Sequence, residues 1–299
     1  MNECSRWIAG ILLCLVIGGG VGSAHADEAE RDLAWMVGPA RVPLADQAVL
    51  TLPEGYRAIG PDDTQYVLKE MGNYPSGTEL ALIAPSADSP DSWFVVVRYV
   101  DAGYIRDDEA TDWDADGLLT SIREGTDEDN RQRKDAGQAA LLIRGWEQKP
   151  AYDKASNKVV WAISHTVEGE EGVGVNYNTL ALGRHGYMSM NMVGDLNELA
   201  AMKPKAELLL TAMSFVDGKR YADFNGATDK VAAVGLTALV AGVAAKTGLL
   251  AKLWAFLLPV VLVAKKFIVL LVVAIIALGR SLWKRMRANA GPPTASPAP

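Results

Sequence analysis

Alternating apolar and polar positions in the middle of the chain predict a series of β-strands. Four such runs follow one another with only short turn-forming segments between them: AALLIRGW, VVWAISHTV, VNYNTLALG and YMSMNMV. Strands joined by such short connections pair with their neighbours, so an antiparallel meander is expected. Three earlier runs, QAVLTL, TELALIA and SWFVVVRYV, also predict strands.

Helical spacing appears in three other stretches. The longest runs from Asp112 to Lys134 and places Leu118, Leu119 and Ile122 on one side. A short helix is predicted over TQYVLKEM, and a helix beginning at Asp195 is expected to be broken at Pro204. Helices packed on an antiparallel sheet define an α+β fold, here followed by one or more C-terminal transmembrane helices.

The first residues have the order typical of a secretory signal peptide. Arg6 precedes an apolar run, and the small residues Ala24 and Ala26 bracket His25 before a polar stretch. We therefore expect residues 1–26 to be a signal peptide cleaved after Ala26; the alternative is an uncleaved anchor helix. Cleavage would remove both cysteines, Cys4 and Cys14, and with them any disulfide or thiolate site.

Apolar runs return near the C-terminus and predict attachment to a membrane. Residues 267–283 would form a helix of about 26 Å, close to the thickness of the hydrocarbon core. Residues 231–266 are expected to form an apolar membrane-proximal helical segment, and residues 284–299 a basic, then disordered, cytoplasmic tail. A cleaved signal peptide and an inward tail together require one span or three.

Charge is divided unevenly between the predicted domain and the tail. Residues 27–230 contain 20 Lys and Arg against 35 Asp and Glu, whereas residues 231–299 contain eight basic residues and no acidic one. An acidic domain lacks the basic footprint that nucleic acid requires. The expected partners are the lipid bilayer and another envelope or membrane protein.

Asp112, Asp114 and Asp116 match the first half of a calcium-binding loop and are followed by a glycine. The twelfth position, however, is Arg123 where a bidentate glutamate is needed. We therefore interpret these carboxylates as the cap of the following helix, with calcium binding as the alternative. No cofactor is expected.

Asn176 and Asn178 fall two positions apart in a predicted strand, so their side chains share one face. If that face is covered, the two amides could line a small-ligand pocket, and His185 in the following turn is a further binding candidate. An envelope hydrolase would use His165 or His185, with Ser164, Ser189 or carboxylates as partners. The chain has no GxSxG motif to support that alternative.

Several segments together resemble an uncharacterised bacterial membrane-anchored family, domain of unknown function 2167. The resemblance is carried by GPARVPLADQAVLTLPEGYRAIGPDDTQ, MGN, PSG, ALIAP, WFVVVRYVDAGYIRDDEATDWDADGLLTSIREGT, VNYNTLALGRHGYMSM, SFVDGKRYADF and DKVAAVGLTALVAG. It implies a protein of the bacterial envelope with a periplasmic domain and a C-terminal anchor, and it supplies no catalytic residues.

These observations favour a binding or interaction module over an enzyme. The expected location is the bacterial inner membrane, with the domain in the periplasm and the tail in the cytoplasm. The hydrolase and a small-ligand sensor remain the alternatives.

Overall fold

The computed structural model describes residues 31–108 and 113–241, which all lie within one compact unit of the chain, Met1–Ala244. Its strands are β1 Met36–Val37, β2 Ala40–Leu44, β3 Ala48–Leu52, β4 Tyr56–Ile59, β5 Glu79–Pro85, β6 Phe94–Val100, β7 Leu141–Asp153, β8 Lys158–Val167, β9 Gly174–Leu182, β10 Tyr187–Asp195 and β11 Met213–Phe215. Its helices are α1 Pro61–Glu70, α2 Ala115–Asp135, α3 Leu199–Ala212 and α4 Leu236–Val240.

Eight strands form one large sheet in the order β1-β4-β5-β6-β10-β9-β8-β7. Every neighbouring pair in it is antiparallel. Strands β7 to β10 follow one another in both sequence and space, which confirms the predicted meander. The expectation of an α+β fold with helices packed on an antiparallel sheet is therefore confirmed.

A second sheet of three strands, in the order β11-β3-β2, covers one face of the large sheet together with α3. The main apolar core lies between these layers. Its largest fully buried side chains include Trp93, Tyr177, Met188, Met192 and Met202. Pro43 is tolerated in β2 because that strand lies at an edge, where a missing N–H breaks no ladder bond.

The opposite face of the large sheet carries α1 on one side and α2 on the other. Leu82 and Ala84 form a small cluster with Val67 of α1. Leu118 of α2 packs in a separate cluster with Trp161, Leu180 and residues of α4. Between these two clusters the face of the sheet is polar.

Helix α2 also covers the outer edge of β7. The Asn130 side chain donates to Leu141 O over 2.7 Å and accepts from Leu141 N over 2.8 Å. Arg123 Nη2 donates to Arg144 O over 2.6 Å. These bonds replace the missing neighbour strand, so the edge offers fewer free backbone groups to another chain.

The helix predicted to break at Pro204 is continuous, and that prediction is wrong. Helix α3 runs from Leu199 to Ala212 with Pro204 inside it. An internal proline costs about 3 kcal/mol of helix stability. Here Met202, Ala206 and Leu209 are buried in the main core on either side of it, and their burial outweighs that cost.

The predicted signal peptide with its cleavage site at Ala26, and the span at residues 267–283, lie outside the described residues. Within residues 31–108 and 113–241, no helix is both long enough and apolar enough to cross a membrane.

Candidate functional site

The polar part of the large sheet can be located from the strand register. Leu82, Val96, Asn191, Asn178 and Trp161 are directly paired across five successive strands. Side chains paired in this way project from the same face. The row therefore begins in the apolar cluster under α1, crosses two asparagines, and ends in the apolar cluster under α2.

The rows on either side add more polar groups. Glu79, Arg98, Ser189 and Leu180 are paired across β5, β6, β10 and β9. On the other side, Asn176 of β9 pairs with Val193 of β10. We call the five contiguous side chains on this face the polar strip: Arg98, Asn176, Asn178, Ser189 and Asn191.

The asparagines of the strip are partly buried and incompletely bonded. Asn178 Nδ2 donates to the backbone oxygen of Asn176 over 3.2 Å. Asn176 Oδ1 and Asn191 Oδ1 are shielded from solvent and accept no hydrogen bond from any described residue. A buried acceptor without a partner costs about 1–3 kcal/mol, so two of them on one face need an explanation.

A buried ion pair holds one end of the strip. Arg98 Nε lies 3.0 Å from Glu79 Oε1, and the Glu79 side chain is only 1% exposed. The same carboxylate accepts from Ser76 N over 3.0 Å and from Gly77 N over 2.8 Å. Burial by itself raises the pKa of Glu79, but the Ser76 N–H and Arg98 outweigh it and lower the pKa from 4.5 to about 2. Glu79 is therefore ionised at neutral pH and fixes the position of Arg98.

The loops that follow α1 and α2 meet each other. Gln138 Nε2 donates to Gly72 O over 2.8 Å, although the two residues are 66 positions apart. Gln138 Oε1 is a third shielded amide oxygen with no partner among the described residues.

Asn176 and Asn178 share one face, as the alternation predicted. Asn191 was missed, and Ser189 was considered only as a hydrolase residue, although both alternate with the buried Met188, Met190 and Met192 along β10. That alternation identified a polar face on β10. Only the register of β10 against β9 shows that the polar face of β10 is continuous with the face that carries Asn176 and Asn178.

His185 does not join the strip. It lies in the turn between β9 and β10, beyond the last pair, Tyr187 with Leu182. Its backbone oxygen accepts from Gly103 N over 2.9 Å. His185 thus helps to hold the loop after β6, at the far end of the hairpin from Asn176.

Two of the serine–histidine pairs considered from sequence, His165 with Ser189 and His165 with Ser164, are not formed. His165 pairs with Gly174 of β9, and Ser189 pairs with Leu180 of the same strand. Gly174 and Leu180 are six residues apart, so His165 and Ser189 are separated by about 20 Å along the strand direction. Ser164 is on the opposite face from its neighbour His165, and its Oγ donates to Glu147 Oε1 over 2.7 Å. Burial lowers the pKa of His165, and the charge of Arg133 lowers it further.

Asp114 caps α2: its Oδ1 accepts from Gly117 N over 3.0 Å. Asp116 lies in the first turn of the same helix and is exposed, whereas Asp112 lies outside the described residues. Among residues 31–108 and 113–241, no group of three or more His, Cys, Asp or Glu residues is arranged to hold a metal ion.

The fold and the strip together define an α+β domain with one apolar and one partly polar sheet face. The chain belongs to the family described as protein of unknown function (DUF2167), whose model matches residues 36–276. No curated protein matches the chain.

Among solved structures, the chain is similar to the solution structure of cyanobacterial PsbP (CyanoP) from Synechocystis sp. PCC 6803. The identity is 12% and the TM-score 0.36, over 68% of this chain and 99% of that one.

Proposed function

We propose that this protein is a membrane-anchored envelope protein whose periplasmic domain binds a ligand or partner on the polar strip. The observation that carries the proposal is the pair of shielded, unpartnered acceptors, Asn176 Oδ1 and Asn191 Oδ1. Buried amides normally have their full set of partners, and a bound molecule with donor groups would supply the missing ones.

The position of the strip also favours binding. Its residues are partly exposed and lie between two apolar clusters that hold α1 and α2 on the same face. A few polar groups bordered by apolar surface are typical of ligand sites.

The anchor is proposed from the sequence. The apolar run from Phe267 is preceded by Lys265 and Lys266 and followed by Arg280, a pattern typical of a span with a cytoplasmic flank. Anchoring at the inner membrane with an odd number of spans would place the domain in the periplasm.

Photo-crosslinking in intact cells tests both parts of the proposal. A photoreactive p-benzoylphenylalanine replaces Asn178 or Ser189 in the full-length chain, and adducts are sought in the membrane fraction. Gln132, exposed on α2, is the matched control position. We expect a defined adduct at the strip positions, absent at 132 and lost when Asn176→Ala and Asn191→Ala are added. Equal labelling at all three positions would contradict binding at the strip, and a full-length chain in the soluble cytosol would contradict the anchor.

A further inference from the structure

The chemistry of the strip narrows the class of ligand. Arg98 is paired with Glu79, and the other four members, Asn176, Asn178, Ser189 and Asn191, are uncharged. Together with Glu79, the strip carries no net charge, which disfavours a phosphate or other anion and favours a neutral polar ligand.

Three of the five members are carboxamides. A carboxamide presents one acceptor oxygen and two N–H donors side by side. It can therefore form a two-point pair with a donor and an acceptor that lie on the same edge of a partner, in the way that asparagine pairs with adenine. In an extended chain the N–H and C=O of one residue lie on the same edge, as they do in an antiparallel ladder. The side chains of the strip are thus complementary to the backbone of an extended peptide.

The spacing of the carboxamides matches an extended peptide. Asn176 and Asn178 are two positions apart on β9, which places them about 6.8 Å apart along the strand. An extended chain repeats over the same length, because its side chains and amide groups recur every second residue. Asn191 lies directly opposite Asn178 on β10 and adds a third amide beside this line.

The unpartnered oxygens can reach such a ligand at little cost. The terminal torsion of asparagine is broad, so its amide turns easily about χ2. Neither Asn176 Oδ1 nor Asn191 Oδ1 gives up a hydrogen bond when it turns, since neither has one within the described residues.

We propose that the polar strip binds a neutral, extended peptide segment aligned with β9, whose backbone amides pair with the carboxamides of Asn176, Asn178 and Asn191. This inference rests on the proposed function and names the ligand class of that site.

Thermal unfolding of the full-length chain in detergent tests the ligand class. The probes are acetyl-tetra-alanine-amide, its analogue with backbone amides replaced by esters, and maltotriose as a neutral glycan without amide groups. At a peptide concentration about ten times its Kd, we expect Tm to rise by about 3–6 °C. The ester analogue should give no rise, because it lacks the N–H donors.

Variants locate the effect on the strip. Asn176→Ala with Asn191→Ala should abolish the rise in Tm, whereas Asn197→Ala, an exposed asparagine beyond β10, should retain it. If the double alanine variant does not fold, the nearly isosteric pair Asn176→Leu and Asn191→Leu, which has neither donor nor acceptor, replaces it and should also lose the response.

The outcomes separate the two proposals. Stabilisation by maltotriose without stabilisation by the peptide would overturn the peptide assignment and leave binding at the strip intact. No stabilisation by the peptide up to its solubility limit would also overturn the assignment, while a strip-specific photo-adduct would still support the proposed function. Absence of both the rise in Tm and the strip-specific photo-adduct would contradict the peptide assignment and the proposed function together.

Discussion

Glu79 is a carboxylate that is almost completely buried, and four hydrogen bonds compensate for its loss of water. Three come from Ser76 and Gly77 and one from Arg98. Charge-assisted bonds are roughly twice as strong as neutral ones, so this single residue joins the loop before β5 to the strip.

Replacement of Glu79 by glutamine should destabilise the protein at pH 7 by about 2 kcal/mol, since the partly buried guanidinium of Arg98 loses its counter-charge and the Ser76 and Gly77 donors lose a charged acceptor. The pKa of Glu79 is lowered from 4.5 to about 2 on folding. Its contribution to stability is therefore present above pH 4.5 and lost as the pH falls towards 2. Thermal unfolding of wild type and Glu79→Gln between pH 2 and pH 7 should show two curves that converge in acid.

Glu54, which is exposed in the turn before β4, provides the control. Glu54→Gln should leave the unfolding curve within about 0.5 kcal/mol of wild type. A constant gap between Glu79→Gln and wild type down to pH 2 would show that the carboxylate charge is not what stabilises this site.

At the scale of elements, α2 substitutes for a ninth strand along the edge of β7. Asn130 provides both a donor and an acceptor to Leu141, as a paired strand residue would. Asn130→Ala should leave both backbone groups of Leu141 without their partner. We expect amide hydrogen exchange near the start of β7 to become roughly tenfold faster, because each lost bond is worth about 1 kcal/mol.

The same measurement on Gln132→Ala controls for helix propensity, because Gln132 is exposed on the same helix. Faster exchange in both variants would indicate that the helix itself is weakened and that the side-chain bonds do not protect the edge.

Some of these elements could be predicted from sequence and others could not. Strands β7 to β10 alternate clearly and are joined by short turns, so local pattern sufficed. Strand β2, interrupted by Arg41 and Pro43, and the three-residue β11 acquire their identity only by pairing with β3. Pro204 was given too much weight because the burial around it depends on distant strands.

The candidate site, too, could be predicted from sequence only in part. A shared face for Asn176 and Asn178 follows from the two-residue period of a strand. The addition of Asn191, Ser189 and Arg98 depends on register across three strands, which no local pattern determines. The placement of His185 at the far end of the hairpin depends on the same register.

At the scale of the whole molecule, the segment that follows β11 contacts the end of the large sheet that carries the β9–β10 turn. Arg184 in the β9–β10 turn binds Asp229 through two bonds of 2.7 and 2.9 Å. Tyr104 stacks on Phe224 with ring centroids 3.8 Å apart, and its backbone forms a parallel bridge to Val231. Arg184 lowers the pKa of Asp229 well below its usual range, so the pair remains charged at neutral pH.

These contacts lie in the sequence just before the apolar run proposed as the anchor. Asp229→Asn removes the charge that holds Arg184 and should make amide exchange in residues 225–240 about tenfold faster, with the strands of the large sheet unchanged. Asp217→Asn is the matched control, since the Asp217 side chain is 92% exposed and pairs only locally with Arg220. If Asp229→Asn instead accelerates exchange throughout the large sheet, residues 225–240 unfold together with the core and do not open separately.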